Sequence, residues 1–235
     1  MRALKKLGQH FLVSPEVALF MVRAAKVGRK DVVLEIGPGK GIITRLLAKK
    51  AKEVYAIEKD RRMREFLSGM PENVHVIWGD ALKVEWPPAN KIVANLPFNI
   101  ASQVLFRIPE SVEVAVLGLQ REFAEKMVAK PGEKNYGRLS VSSQLLFEVE
   151  VLKNFPPQVF KPVPKVWLSI VRLKPKERPG KWEEMEEFIR KIFSYPNKMV
   201  GNALELAGYQ KLKIGKKVRE LSPGEVAELF EKVQR

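Results

Sequence analysis

Residues 31–51, DVVLEIGPGKGIITRLLAKKA, constrain the fold more than any other stretch of the 235-residue chain. Asp31-Val32-Val33-Leu34-Glu35-Ile36 reads as a strand buried on both faces, as strands inside parallel sheets are. Gly37-Pro38-Gly39-Lys40-Gly41 follows at once. From Ile42 to Ala51 the spacing is helical, with Leu46 and Leu47 on the side of Ile43. Strand, glycine-rich turn and helix open a doubly wound nucleotide-binding unit, in which glycines let backbone amides approach a ligand closely. The expected class is therefore α/β, a Rossmann-like sheet with helices on both faces. The spacing is G-x-G-x-G rather than the dinucleotide G-x-G-x-x-G, and an acid, Glu35, stands just before the first glycine.

Three more strand ends follow in order. Val54-Tyr55-Ala56-Ile57 ends in Glu58, seventeen residues beyond Gly41. An acid there is placed to accept hydrogen bonds from both hydroxyls of a ribose. Val74-His75-Val76-Ile77-Trp78 runs into Gly79-Asp80-Ala81, where a carboxylate can accept from the exocyclic amine of an adenine. Ile92-Val93-Ala94 then delivers Asn95. Each acid alone reads equally as a helix cap or turn residue. Their joint, ordered occurrence at the carboxyl edge of a parallel sheet points to a nucleoside ligand.

Asn95-Leu96-Pro97-Phe98 stops the fourth strand before a helical pattern resumes. Proline cannot donate a ladder hydrogen bond and holds the preceding residue extended, which leaves the Leu96 carbonyl free to face a ligand beside the Asn95 amide. Taken alone, the tetrapeptide reads equally as a strand-ending turn.

Composition narrows the partner. The 42 Lys and Arg against 27 Asp and Glu give +15 and a pI near 9.9, an excess suited to a polyphosphate backbone rather than a small acidic molecule. Residues 174–235 hold 14 Lys and Arg against 10 Asp and Glu, so the first 173 residues carry +11 of the total. The absence of cysteine excludes disulfides, thiolate metal sites and cysteine nucleophiles, and with only His10 and His75 no histidine-built metal site is expected. No apolar run is long enough to cross a bilayer, and residues 1–16 do not read as a secretory signal, so the expectation is a cytoplasmic protein without membrane partners.

With these elements in place, the chain resembles the S-adenosylmethionine-dependent ribosomal RNA adenine dimethyltransferases of the KsgA type, its archaeal-like members in particular. The match is carried by Gln9-His10-Phe11-Leu12, Glu35 through Gly41, Glu58, Gly79-Asp80-Ala81 and Asn95-Leu96-Pro97-Phe98. It continues through Gln120-Arg121-Glu122, residues 128–132, residues 136–140 and the run Phe160 to Val166. The resemblance implies the class I methyltransferase fold and contact of the methyl donor by Gln9, His10, Leu12, Glu35, Gly37, Gly39, Gly41, Glu58, Asp80, Ala81 and Asn95. It also implies methylation of the N6 amines of two adjacent adenosines near the 3′ end of small-subunit ribosomal RNA, during small-subunit biogenesis and with no metal. Asn95 and Leu96 would accept the amine hydrogens, Pro97 would hold Leu96 extended, Phe98 would stack on the flipped adenine, and Phe160 would cover its other face. Two departures stand out: Trp167-Leu168 replaces the Asp-Ser usual in the family, and residues 195–200, YPNKMV, replace an arginine-rich stretch.

The linker Lys174 to Gly180 suggests a boundary, giving a methyltransferase domain at 1–174 with a basic arm and a small helical domain at 175–235 for RNA or ribosome docking. Trp182, Met185, Ile189 and Ile192 recur at helical spacing, as do Val226, Leu229, Phe230 and Val233, and Ser222-Pro223-Gly224-Glu225 is a capping box. A monomer is expected. The competing functions are an adenine methyltransferase acting on another RNA or on DNA, and an assembly or transcription factor that keeps the fold without turnover.

Overall fold

The computed structural model describes residues 10–234. The strands are β1 (Phe11–Leu12), β2 (Val32–Ile36), β3 (Glu53–Glu58), β4 (Val74–Trp78), β5 (Lys91–Asn95), β6 (Val114–Gln120), β7 (Phe147–Phe155), β8 (Phe160–Lys161) and β9 (Leu168–Pro175). The helices are α1 (Pro15–Ala24), α2 (Ile42–Ala48), α3 (Arg64–Leu67), α4 (Ala101–Arg107), α5 (Arg121–Val128), α6 (Arg138–Leu146), α7 (Trp182–Ile192), α8 (Val200–Leu206) and α9 (Pro223–Val233). None of the described helices is long and apolar enough to cross a membrane.

Seven strands form one sheet in the order β4-β3-β2-β5-β6-β9-β7, with β4, β3, β2, β5 and β6 parallel and β9 antiparallel to β6. The chain winds outward from β2 through β3 to β4, then returns to β5 on the other side of β2. The order therefore reverses between β2 and β5, and a doubly wound sheet takes its ligand outside the carboxyl ends at that switch point. The loop after β2 and Asn95 at the end of β5 flank it.

Local chemistry explains the elements around the switch. Ser14 accepts from the Val17 N–H at 3.4 Å and Pro15 opens α1, which buries Val17, Ala18, Met21 and Val22 against the sheet. Gly41 begins α2 with φ 76°, a left-handed value open to glycine, and a Cβ there would lie 2.4 Å from the Met70 methyl. The helix ends at Ala48, one turn short of the expected Ala51. β1 pairs antiparallel with β8, Phe11 opposite Lys161 and Leu12 opposite Phe160, so the arm before α1 and the loop before β9 are tied together.

At the amino end of the sheet, Lys91 Nζ donates to Asp31 Oδ2 and to the Lys26 carbonyl, both at 2.8 Å. Burial raises the Asp31 pKa, but the bonds from Lys91 and Asn90 outweigh it and hold the carboxyl below its ordinary value. This buried pair fixes where β2 and β5 begin, away from the ligand edge.

The expected boundary needs revision. The compact units are residues 1–121 with 150–175, and 122–149 with 176–235. The linker does separate β9 from α7, but α5 and α6 belong with the tail. The reason is packing distant in sequence: α6 lies against α7 and α9, the Tyr136 hydroxyl donates to the Leu221 carbonyl at 2.6 Å, and the Gly132 N–H donates to the Arg219 carbonyl at 2.7 Å. The core of this second unit is Met185, Phe188 and Ile189 of α7 against Leu229 and Phe230 of α9, with the Phe188 and Phe230 rings 5.6 Å apart. Ser222 caps α9 reciprocally with Glu225, as the sequence predicts.

Candidate active site

Outside the switch point lies a cleft enclosing about 790 Å³, open solvent included. The loop after β2 gives its floor through Gly37 and Gly39, and Glu35 and Glu58 bring two carboxylates. Asn95, Leu96, Pro97 and Phe98 form another wall, and His10 and Leu12 close it from the arm. Three strand ends, those of β2, β3 and β5, thus meet here with the arm, and the fourth expected end, that of β4, does not line the cleft.

The glycine loop differs from expectation in what it offers. The N–H of Gly37 donates to the Ile57 carbonyl, that of Gly39 to Glu58 Oε2 at 3.0 Å, and that of Gly41 to the Pro38 carbonyl. All three amides are spent inside the protein. The loop contributes a floor without side chains rather than a cradle of donors, and Gly41 faces Met70 and Arg45, not the cleft.

The two carboxylates differ in character. Glu58 is 7% exposed, and its oxygens accept from Gly39 N–H at 3.0 Å and Asp60 N–H at 2.8 Å. Burial raises its pKa, and these backbone bonds oppose the rise. They also lock the rotamer of a carboxyl that lines the cleft. Glu35 is 1% exposed, and Oε2 has no hydrogen-bond partner among the described residues. Burial is the main cause that pushes its pKa up to about 8, and the Glu58 charge adds to it. The Thr44 hydroxyl pulls the other way, but its geometry falls short of a hydrogen bond. At neutral pH Glu35 is a protonated acid.

Asn95 carries the second orphan. Its Oδ1 is buried and unpartnered among the described residues. It packs against Gly118 of β6, where a Cβ would come within 2.6 Å of Oδ1 and 3.3 Å of the Asn95 Cα. The amide can turn about its last torsion at little cost, which exchanges oxygen and nitrogen. The Leu96 N–H donates to the Gly118 carbonyl at 3.1 Å, and the Leu96 carbonyl has no partner among the described residues. His10 Nδ1–H donates to the Pro162 carbonyl at 2.7 Å, which fixes the orientation of the ring. Its ring centroid is 6.2 Å from that of Phe98.

A buried acceptor without a partner costs free energy unless a ligand satisfies it, so Asn95 Oδ1 suits a guest that brings a hydrogen-bond donor such as an amine. The model of one family, ribosomal RNA adenine dimethylase, matches residues 1–234. The chain belongs to that family. The Methanopyrus kandleri probable ribosomal RNA small subunit methyltransferase A is 45% identical over 89% of this chain and 78% of its own length. The protein of the same name from Pyrobaculum aerophilum is 43% identical over 97% of both. A dimethyladenosine transferase from Plasmodium falciparum superposes with a TM-score of 0.81 at 29% identity, covering 96% of this chain and 98% of its own. The 23S rRNA methyltransferase ErmE superposes with a TM-score of 0.71 at 30% identity, covering 96% and 100%. The sheet described above is thus the Rossmann-like sheet of a class I methyltransferase.

Against the family motifs, four positions stand outside the cleft lining: Gly41, Asp80, Ala81 and Phe160. Asp80 Oδ2 accepts from Lys59 Nζ at 2.9 Å and Oδ1 from the Leu82 N–H, and the Lys59 bond is the largest cause of its lowered pKa. The Ala81 carbonyl accepts from Trp86 Nε1 and Arg107 Nη1. Phe160 is 1% exposed and meets Phe98 edge to face at 6.5 Å, so it buttresses that ring from behind. Gln9 lies outside the described residues. Sequence reasoning missed Gly118, although a lone glycine inside an apolar strand signals a close approach. It also missed Met63 as a lining residue, for which the sequence carries no signal.

Proposed function

We propose that this chain transfers methyl groups from S-adenosylmethionine to the N6 amines of two adjacent adenosines near the 3′ end of small-subunit ribosomal RNA during subunit biogenesis. The observation that carries the reading is that Asn95, whose Oδ1 is buried against Gly118 without a hydrogen-bond partner among the described residues, lines with Leu96 the cleft at the switch point of the sheet. S-adenosylmethionine supplies an electrophilic methyl group when bound. The residues present fit it: Glu58 would take the ribose hydroxyls, His10 and Leu12 would flank the ligand, and the loop of Gly37 and Gly39 would leave room for it. Asp80 would accept from the donor's adenine amine after releasing Lys59.

Adenine N6 is a poor nucleophile because its lone pair is delocalised into the ring. Asn95 Oδ1 and the Leu96 carbonyl would each accept one of its hydrogens, drawing the nitrogen towards tetrahedral geometry with its lone pair exposed for attack. Positioning and preorganised acceptors would supply most of the acceleration. No strong base is needed, since the amine becomes acidic once alkylated. Phe98, backed by Phe160, would stack on the base, which must leave its helix to reach the site. The second unit, with its exposed lysines, would help dock the RNA. The chain would act as a monomer in the cytoplasm.

The likeness to ErmE makes large-subunit RNA the competing substrate. Incubation of immature small subunits with labelled donor, followed by nucleoside analysis, separates the two. The proposal expects N6,N6-dimethyladenosine in small-subunit RNA; label appearing only in large-subunit RNA would overturn it.

A further inference from the structure

Trp167 has no place in the mechanism above, yet it is 45% exposed. The other three tryptophans are engaged: Trp182 is buried, Trp86 donates its indole N–H to the Ala81 carbonyl, and Trp78 lies under Arg64. A large exposed aromatic ring costs solubility and contributes nothing to the core, so its surroundings decide what it is for.

Those surroundings are held in place and basic. Residues 161–167, KPVPKVW, run from Phe160, which touches Phe98, to the start of β9. One end is anchored by the His10 bond to Pro162, the other by the Arg121 N–H, which donates to the Trp167 carbonyl at 2.9 Å. Pro162 and Pro164 stiffen the segment between. Lys161, Lys165 and Val163 are exposed along it, Val163 at 55%.

Strand register places Trp167 relative to the acceptor pair. Asn95 is level with Gly118, Gly118 with Ile170, and Gln120 with Leu168. Trp167 is therefore two strands over from Asn95, roughly 10 Å to the side, and three residues further up, roughly 10 Å beyond the carboxyl edge. The two offsets combine to roughly 14 Å, a separation that about two nucleotide steps of an extended strand span.

We propose that Trp167, flanked by Lys161 and Lys165, is a stacking platform for an unpaired base of the RNA about two nucleotides from the target adenosine. An exposed indole between ammonium groups matches the face of a base joined to phosphates, and aromatic platforms set in basic surfaces bind single strands in this way. A protein partner would have to bring acidic groups to Lys161 and Lys165, whereas any RNA strand brings phosphates with each base. The base need not be of one type, because every base has a π-face. A rigid loop gains affinity because little freedom is lost on binding.

The inference rests on RNA being the substrate, and its test reads binding apart from transfer. An RNA hairpin with adjacent unpaired adenosines in its loop is titrated into the wild-type chain, Trp167→Phe and Trp167→Ala, following tryptophan emission and, in parallel, methyl transfer at saturating donor. RNA should quench the exposed emission of the wild type and leave that of both variants unquenched. Trp167→Ala should raise the KM for RNA roughly five- to hundred-fold, with kcat and donor affinity within twofold, and Trp167→Phe should recover most of the loss. Unquenched wild-type emission, or a Trp167→Ala KM equal to that of the wild type, overturns the platform. Quenching without any methyl transfer would keep the platform and overturn the proposed activity instead.

Discussion

Replacing Glu35 by Gln tests the physics of the cleft without any substrate. Burial, with the Glu58 charge adding to it and the Thr44 hydroxyl opposing it, moves this carboxyl from an ordinary 4.5 to about 8. Between those values the folded chain holds a proton that the unfolded chain has released. Folding therefore binds protons, and stability falls as pH rises through that window. The slope is about 1.4 kcal/mol per pH unit, and the loss from pH 5 to pH 8 is about 3 to 4 kcal/mol. Glutamine fills the same space and does not titrate. Groups that do not interact with Glu35 titrate equally in both proteins and cancel in their difference, and the Glu58 charge is the smallest of the three causes, so the stability of Glu35→Gln relative to wild type should climb by about that amount over the interval. In a chain of this size each kcal/mol shifts the midpoint temperature by about 2 to 4 °C. Urea unfolding of both proteins at pH 5, 6, 7 and 8, followed by far-UV circular dichroism, gives the difference. Parallel stability profiles would refute the claim that Glu35 is buried as a neutral acid.

Three further outcomes follow from the geometry. Gly118→Ala places a Cβ 2.6 Å from Asn95 Oδ1 and 3.3 Å from the Asn95 backbone; the shift it forces should lower kcat by roughly a hundredfold in a methyl-transfer assay while leaving donor affinity, measured by calorimetry, nearly intact. Glu58→Ala removes the carboxyl group that the Gly39 and Asp60 N–H groups orient in the cleft, and donor binding should weaken by about tenfold, at about 0.5 to 1.5 kcal/mol for each of two ribose hydrogen bonds; unchanged calorimetric affinity would count against the ribose role. Lys91→Met strands Asp31 as an unpaired charge and should destabilise the fold by about 3 kcal/mol in urea unfolding.

The sheet and the positions of its strand ends were legible because the signals are local. An apolar run, an acid and a turn residue within a few positions predict β2 to β5, and the cleft then follows from the handedness of parallel connections. Local patterns failed where the deciding contact is distant. Gly41 reads like Gly37 and Gly39, but its left-handed φ and the nearby Met70 explain it without a ligand. Asp80 reads as an adenine acceptor from its turn alone, and what the sequence does not show is that Lys59 and the Leu82 N–H occupy its oxygens, so that Lys59 must leave before a ligand amine binds. Phe160 stands behind Phe98 because pairing of β1 with β8 pulls it inward, a tie across about 150 residues that no window reveals. Residues 122–149 join the tail for the same kind of reason, since the linker at 174–180 marks only where the chain leaves the sheet.

The central claim is that Asn95 presents an acceptor to the reacting amine, and it is tested most directly by methyl transfer from labelled donor to immature small subunits with wild-type and Asn95→Ala proteins of matched donor affinity. The account predicts label in N6,N6-dimethyladenosine for the wild type and loss of at least a hundredfold in rate for the variant. Incorporation by Asn95→Ala at the wild-type rate would contradict it.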